Sequence, residues 1–224
     1  MSPKLFLMPE MEMEIIYSFI LIVSSLMIYA KTKEIYNLTA DKGIKYFRQA
    51  FLFFAIAFFS RMIILFLFNL FGISRVFDFS PRAVGLISSI FFVYISTIAI
   101  FYLLYSLTWK KWDPDSKLVW LIYLVTLIIT FIVISTRNGF ILLIFQLGLS
   151  LIALGISYLR YLKSKKNKHL RNNLIIYALL FIFWTVNTIQ LFIPAFLGMF
   201  KILIYLISIA TFLSIFYAVI KRTG

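Results

Sequence analysis

The chain is 224 residues long, 63% hydrophobic and only 13% charged, with 26 phenylalanines and a formal net charge of +14. Soluble domains are about 45–50% apolar and about 25% charged, so soluble, disordered and nucleic-acid-binding classes are excluded. What remains is an all-α integral membrane protein, a class that names no reaction.

A bilayer-crossing helix needs about 20 mostly apolar residues. Seven such runs follow in order: Ile15–Ala30, Tyr46–Phe71, Ala83–Leu107, Leu118–Thr136, Phe140–Leu162, Leu170–Ile193 and Leu197–Ile220. Between them lie the basic stretch Lys31–Lys45 with Gly43, then Gly72–Arg82 ending in Ser80-Pro81, and then Lys110–Lys117 with Asp113-Pro114. The tight turn Arg137-Asn138-Gly139, the basic run Lys163–His169 and the turn Pro194–Gly198 complete the series. No soluble domain fits in these gaps, so one seven-helix transmembrane domain is expected over 1–224. Met1–Met8 lacks the long apolar stretch and small-residue cleavage site of a signal peptide, and the first span is read as an uncleaved anchor.

Lysines and arginines of short loops concentrate on the cytoplasmic side. With the N-terminus outside, sixteen of the 22 fall in inner segments, five in outer segments, and Arg61 alone lies inside a span. The expected topology is therefore N-terminus outside, C-terminus cytoplasmic, in the cell membrane as a multi-pass protein.

Spans 1–3 and 5–7 share an orientation, with span 4 as a linker. Lys45-Tyr46-Phe47-Arg48-Gln49 parallels Lys168-His169-Leu170-Arg171-Asn172, and Pro81…Gly85 parallels Pro194…Gly198. Tyr94…Ile98-Ala99…Phe101 parallels Tyr205…Ile209-Ala210…Phe212. These matches fit a 3+1+3 parallel repeat, and they also fit coincidence in a sequence rich in Phe, Ile and Tyr. The plan is similar in architecture to that of the SWEET and PQ-loop sugar transporters, but their Pro-Gln pairs are missing here. Microbial rhodopsins share the seven-helix plan, yet the mid-span lysine of their last helix has no counterpart: Lys201 sits at the outer end.

Arg61 stands in the otherwise apolar stretch Phe51–Phe71. Fifteen residues from Tyr46, at about 1.5 Å each, put it about 22 Å along the helix, in the outer half. A mid-bilayer arginine costs at least about 2.5–3.5 kcal/mol and needs acceptors. The eight acids lie at ends or loops, Asp78 being the closest in sequence. Asn187 and Gln190 on span 6, Gln146 on span 5 and Ser88 on span 3 map to a similar depth. The expectation is an outward-facing polar pocket in which Arg61 supplies charge and forked donors for a carboxylate or phosphate and the amides set orientation. A structural arginine, snorkelling or bonded to neighbouring polar groups, is the alternative.

Gln146, Ser150, Ala153 and Ser157 form a small-residue face on span 5, with Gly148 and Gly155 nearby, read as helix packing. Tyr177 and Trp184, seven apart on span 6, read as core before pocket. Arg160, Lys163, Lys165, Lys166, Lys168 and Arg171 form a basic rim suited to anionic head groups on the cytoplasmic side.

With no cysteine and a single histidine, His169, metal sites, thiol chemistry and His-based triads have no residues to build them. No cofactor and no catalytic role are expected. Two functions stay open: a non-enzymatic sensory or interaction module binding a small ligand, lipid or membrane-protein partner at Arg61, and a small 3+1+3 transporter or facilitator of a polar or anionic solute.

Overall fold

The computed structural model describes residues 9–70, 81–110, 116–136, 139–163, 168–190, 193 and 198–223. Among these, all regular structure is helical: α1 (Pro9–Thr39), α2 (Lys42–Leu70), α3 (Pro81–Thr108), α4 (Ser116–Thr136), α5 (Gly139–Lys163), α6 (Lys168–Gln190) and α7 (Gly198–Thr223). Each is long and apolar enough to cross a membrane. A helix satisfies its own backbone N–H and C=O groups, which is what a segment crossing hydrocarbon would need. Pro81 opens α3, where its fixed φ and missing N–H are tolerated.

The helices match the sequence reading closely at six of the seven positions. The exception is α1, which continues past Ala30 to Thr39. Lys31, Lys33 and Glu34 are good helix formers, and they extend the helix beyond the apolar run. The expected loop Lys31–Lys45 shrinks to Ala40 and Asp41. Ala40 adopts φ 49° and donates its N–H to the Tyr36 carbonyl at 2.8 Å, closing α1. The Asp41 Oδ1 then accepts the Gly43 N–H at 2.6 Å and caps α2.

Six helices form a ring. α2 packs between α1 and α3, α3 meets α5, α5 meets α6, α6 meets α7, and α7 returns to α1. α4 lies outside, against α3 and more lightly against α5. The ring interior is filled by Leu21, Phe51, Phe54, Ile100, Phe183, Phe212 and Ile215, all essentially inaccessible. Rings of Phe51 and Phe212 lie 6.3 Å apart, of Phe183 and Phe212 5.2 Å, and of Phe54 and Trp184 6.0 Å, at tilted or edge-on angles. Such pairs contribute about 0.5–1.5 kcal/mol each beyond area burial. In a lipid surrounding, where apolar transfer gives little drive, packing of this kind would hold such a bundle together.

Buried hydroxyls are mostly turned back onto their own helices. Thr32 donates to the Ile28 carbonyl at 2.7 Å, and Thr126 and Thr130 to the carbonyls of Ile122 and Thr126 at 2.8 Å. On α5 the face Gln146, Ser150, Ala153 and Ser157 is buried. Gly148 and Gly155 are not part of it: a Cβ at either would meet nothing within 4 Å, so neither glycine is there for close helix approach.

Candidate functional site

Two polar centres occupy opposite ends of the ring. At one end, where α1 begins and α2 ends, Arg61 forms an ion pair with Glu14. The sequence expectation that no acid of a span reaches Arg61 is corrected here. With α1 starting at Pro9, Glu14 sits in the second turn of a continuous helix rather than at a ragged end. Arg61 also stacks on Phe92 of α3, its guanidinium carbon 5.4 Å from the ring centre. Arg61 is 37% exposed and Glu14 18%, so the pair is shielded without being sealed. Asp78 lies outside the described residues.

Asn187 belongs to the same end. The Tyr17 hydroxyl donates to its Oδ1 at 2.8 Å, and its Nδ2 donates to Ser208 Oγ at 2.9 Å and to the Phe183 carbonyl at 2.8 Å. This knot ties α1 to α6 and α7, with the Tyr17 and Tyr205 rings 5.1 Å apart beside it. Gln146 is engaged elsewhere. Its Nε2 donates to Ser96 Oγ at 2.8 Å and to Thr97 Oγ1 at 3.4 Å, joining α5 to α3. The side chains of Ser88 and Gln190 lie outside the described residues. Of the set read as one pocket, Arg61 takes part in an ion pair, Asn187 in an interhelical amide knot and Gln146 in a separate α3–α5 bond.

The other end holds a cavity of about 540 Å³, within the size range of small-ligand sites, about 300–1,000 Å³. All six ring helices contribute to its wall, and no described side chain of α4 does. Among the described residues, Lys110, Arg160 and Lys163 supply three cations against one carboxylate, Asp41, and Asp41 already accepts the α2 capping bond. Asn173, Ser106, Tyr177 and Trp109 supply the neutral polar groups. The lip is rigid: a Cβ on Gly43 would lie 2.6 Å from Trp109 Nε1 and 2.9 Å from the Ser106 carbonyl. Only glycine lets the start of α2 come this close to the end of α3. Lys110 Nζ sits 5.5 Å from the centre of the Trp109 ring.

Two residues of the expected lipid rim, Arg160 and Lys163, line this vestibule. Arg171 is exposed, and the side chains of Lys165, Lys166 and Lys168 lie outside the described residues. Beyond it, a small void of about 10 Å³ is bordered by Ser150, Ala153, Tyr177 and Trp184. Tyr177 lines both spaces.

Most of the vestibule was not marked in the sequence, because its wall is assembled from the ends of six helices that each read as ordinary interface residues. The signals that were present are Arg160 and Lys163 of the basic rim, Gly43, and Tyr177, all of which line the vestibule.

Over 223 residues the chain is 29% identical to an uncharacterized protein of Archaeoglobus fulgidus, covering 98% of this chain and 96% of that one. No family model matches the chain, and no solved structure matches it.

Proposed function

We propose that the chain is a multi-pass membrane protein, with its N-terminus outside and its basic end in the cytoplasm, that passes a small anionic solute. The observation that carries this reading is the cationic vestibule built by all six ring helices and by no described side chain of α4. The packing order adds support. Exchanging α1, α2 and α3 with α5, α6 and α7 maps every ring contact onto another ring contact, as a 3+1+3 plan requires. Three cations around a wet concavity concentrate anions by their summed field. Below the vestibule the aromatic packing of Phe51, Phe183 and Phe212 closes the centre, the arrangement of a carrier open to one side. No bond is made or broken in this role, and no cofactor is needed. Outside the vestibule, the basic rim holds the anionic head groups of the inner leaflet.

The closed aromatic centre also favours a second reading, a sensory or interaction module that binds without passing anything through, with Arg61 and its polar neighbours as the outer contact. One experiment separates the two. Purified protein in liposomes is challenged with phosphate, sulfate, succinate and glucose, following binding currents on a solid-supported membrane and radiolabel uptake. A carrier gives uptake of at least one anion above protein-free liposomes, none for glucose, and a loss of tenfold or more in Arg160→Gln/Lys163→Gln. Anion binding currents without uptake support the sensory module. Equal responses to glucose and the anions, or no response to any anion, overturn the vestibule as an anion site.

A further inference from the structure

We propose that the solute path continues from the vestibule along the seam of α3, α5 and α6, through a gate at Tyr177, to an inner polar station formed by Ser150, Trp184 and Gln146. This rests on the carrier reading above.

Among the described residues, Tyr177 is the one side chain that borders both the vestibule and the void beneath it. Its hydroxyl lies 2.7 Å from Ser106 Oγ and 3.3 Å from the Leu103 carbonyl, which latches α6 to α3. Ser106 itself reaches that carbonyl at 2.7 Å, and either hydroxyl can donate in the bond the two share. If Tyr177 swings away, Ser106 and the Leu103 carbonyl still satisfy each other, and the phenol meets the polar vestibule. The latch can therefore open without stranding a buried group on α3, which is what a gate requires.

The station beyond has polar groups with nothing to hold. Trp184 is 3% exposed and its Nε1 has no acceptor. Gln146, one helical turn from Ser150 on the same face of α5, is 1% exposed and its Oε1 has no donor. Buried indole N–H groups and amide oxygens are normally paired. A donor and an acceptor left unpaired along one seam match a passing polar solute better than a finished core. The void of about 10 Å³ is about one water-sized probe, so the station is closed while Tyr177 is latched.

The chain contains no cysteine, so single thiols in the full-length protein in liposomes report access cleanly. Asn173→Cys marks the vestibule and Ser150→Cys the station, each probed with a membrane-impermeant methanethiosulfonate. The expected result is rapid modification of Asn173→Cys and slow modification of Ser150→Cys. The Ser150→Cys rate should rise at least tenfold with Tyr177→Ala and severalfold with the milder Tyr177→Phe, which keeps the ring and removes the latch. If Asn173→Cys reacts and the Ser150→Cys rate moves in neither background, the gate is wrong and the vestibule stands. The gate is equally wrong if Ser150→Cys already reacts as fast as Asn173→Cys with Tyr177 intact. An unreactive Asn173→Cys removes the vestibule reading and the gate with it.

Discussion

Arg61 of α2 is held by Glu14 of α1, and the pair faces Phe92 of α3. Three consecutive helices thus meet around one charge. An exposed ion pair contributes about 0–1 kcal/mol, whereas breaking a buried one costs about 3–5 kcal/mol because the surviving charge is stranded. With Arg61 37% exposed, Glu14→Gln should destabilise the bundle by about 1–3 kcal/mol. A double-mutant cycle with Arg61→Gln, read by unfolding in mixed micelles, should recover most of that loss as coupling. Additive losses would mean that the two residues act separately.

Tyr17→Phe deletes the donor to Asn187 Oδ1 while leaving the ring against Tyr205. Interhelical hydrogen bonds in bilayers average about 0.6 kcal/mol and reach about 1.7. The expected loss is about 1 kcal/mol, measured in the same micelles. Asn187→Leu removes the acceptor for Tyr17 and the donors to Ser208 and the Phe183 carbonyl together, and should cost more than Tyr17→Phe.

Gly43→Ala should narrow the vestibule. Alanine gains roughly 1 kcal/mol of helix propensity over glycine, yet its Cβ would meet the Ser106 carbonyl at 2.9 Å and Trp109 Nε1 at 2.6 Å. Overpacking of this kind costs about 1–3 kcal/mol. Net destabilisation, with a shifted Trp109 emission maximum in a variant where the other tryptophans are replaced by Phe, is the expected outcome.

Ala40→Gly should act in the opposite direction. A left-handed conformation costs a side-chain-bearing residue about 1–2 kcal/mol, and Ala40 has φ 49°. Part of the relief is offset by the greater freedom glycine has when unfolded. Thermal unfolding should show a gain of up to about 1 kcal/mol, and a loss would indicate that the Ala40 methyl packs usefully.

The seven helices were legible because long apolar runs leave the backbone few choices besides satisfying its own polar groups. Length and apolar continuity were enough to find them, though not to end them. α1 overran its apolar run because Lys31, Lys33 and Glu34 sustain a helix as well as hydrophobic residues do. Arg61 was conspicuous by its cost in lipid, but Glu14 was not, since the sequence does not mark a helix as starting five residues before it. Facing was the least legible property. Ala99 and Ala210 occupy matching places in the proposed α3 and α7 correspondence, yet Ala99 is fully buried and Ala210 exposed. Identical letters at identical spacing fix a face only once the neighbours of the helix are known. The vestibule was legible only in pieces, as Arg160, Lys163 and Tyr177, for a related reason: its wall exists only after six helix ends have been brought together.

The position of α4 has a consequence in parity. Three helices are an odd number of crossings, so a second triplet joined directly to the first would run upside down relative to it. One additional crossing restores the sense. In the proposed 3+1+3 plan α4, standing outside the ring, acts as a spacer in the count: it lets two triplets of one chain stand side by side with the same ends up, and so lets both put the ends that carry Lys110, Arg160 and Lys163 around one shared mouth.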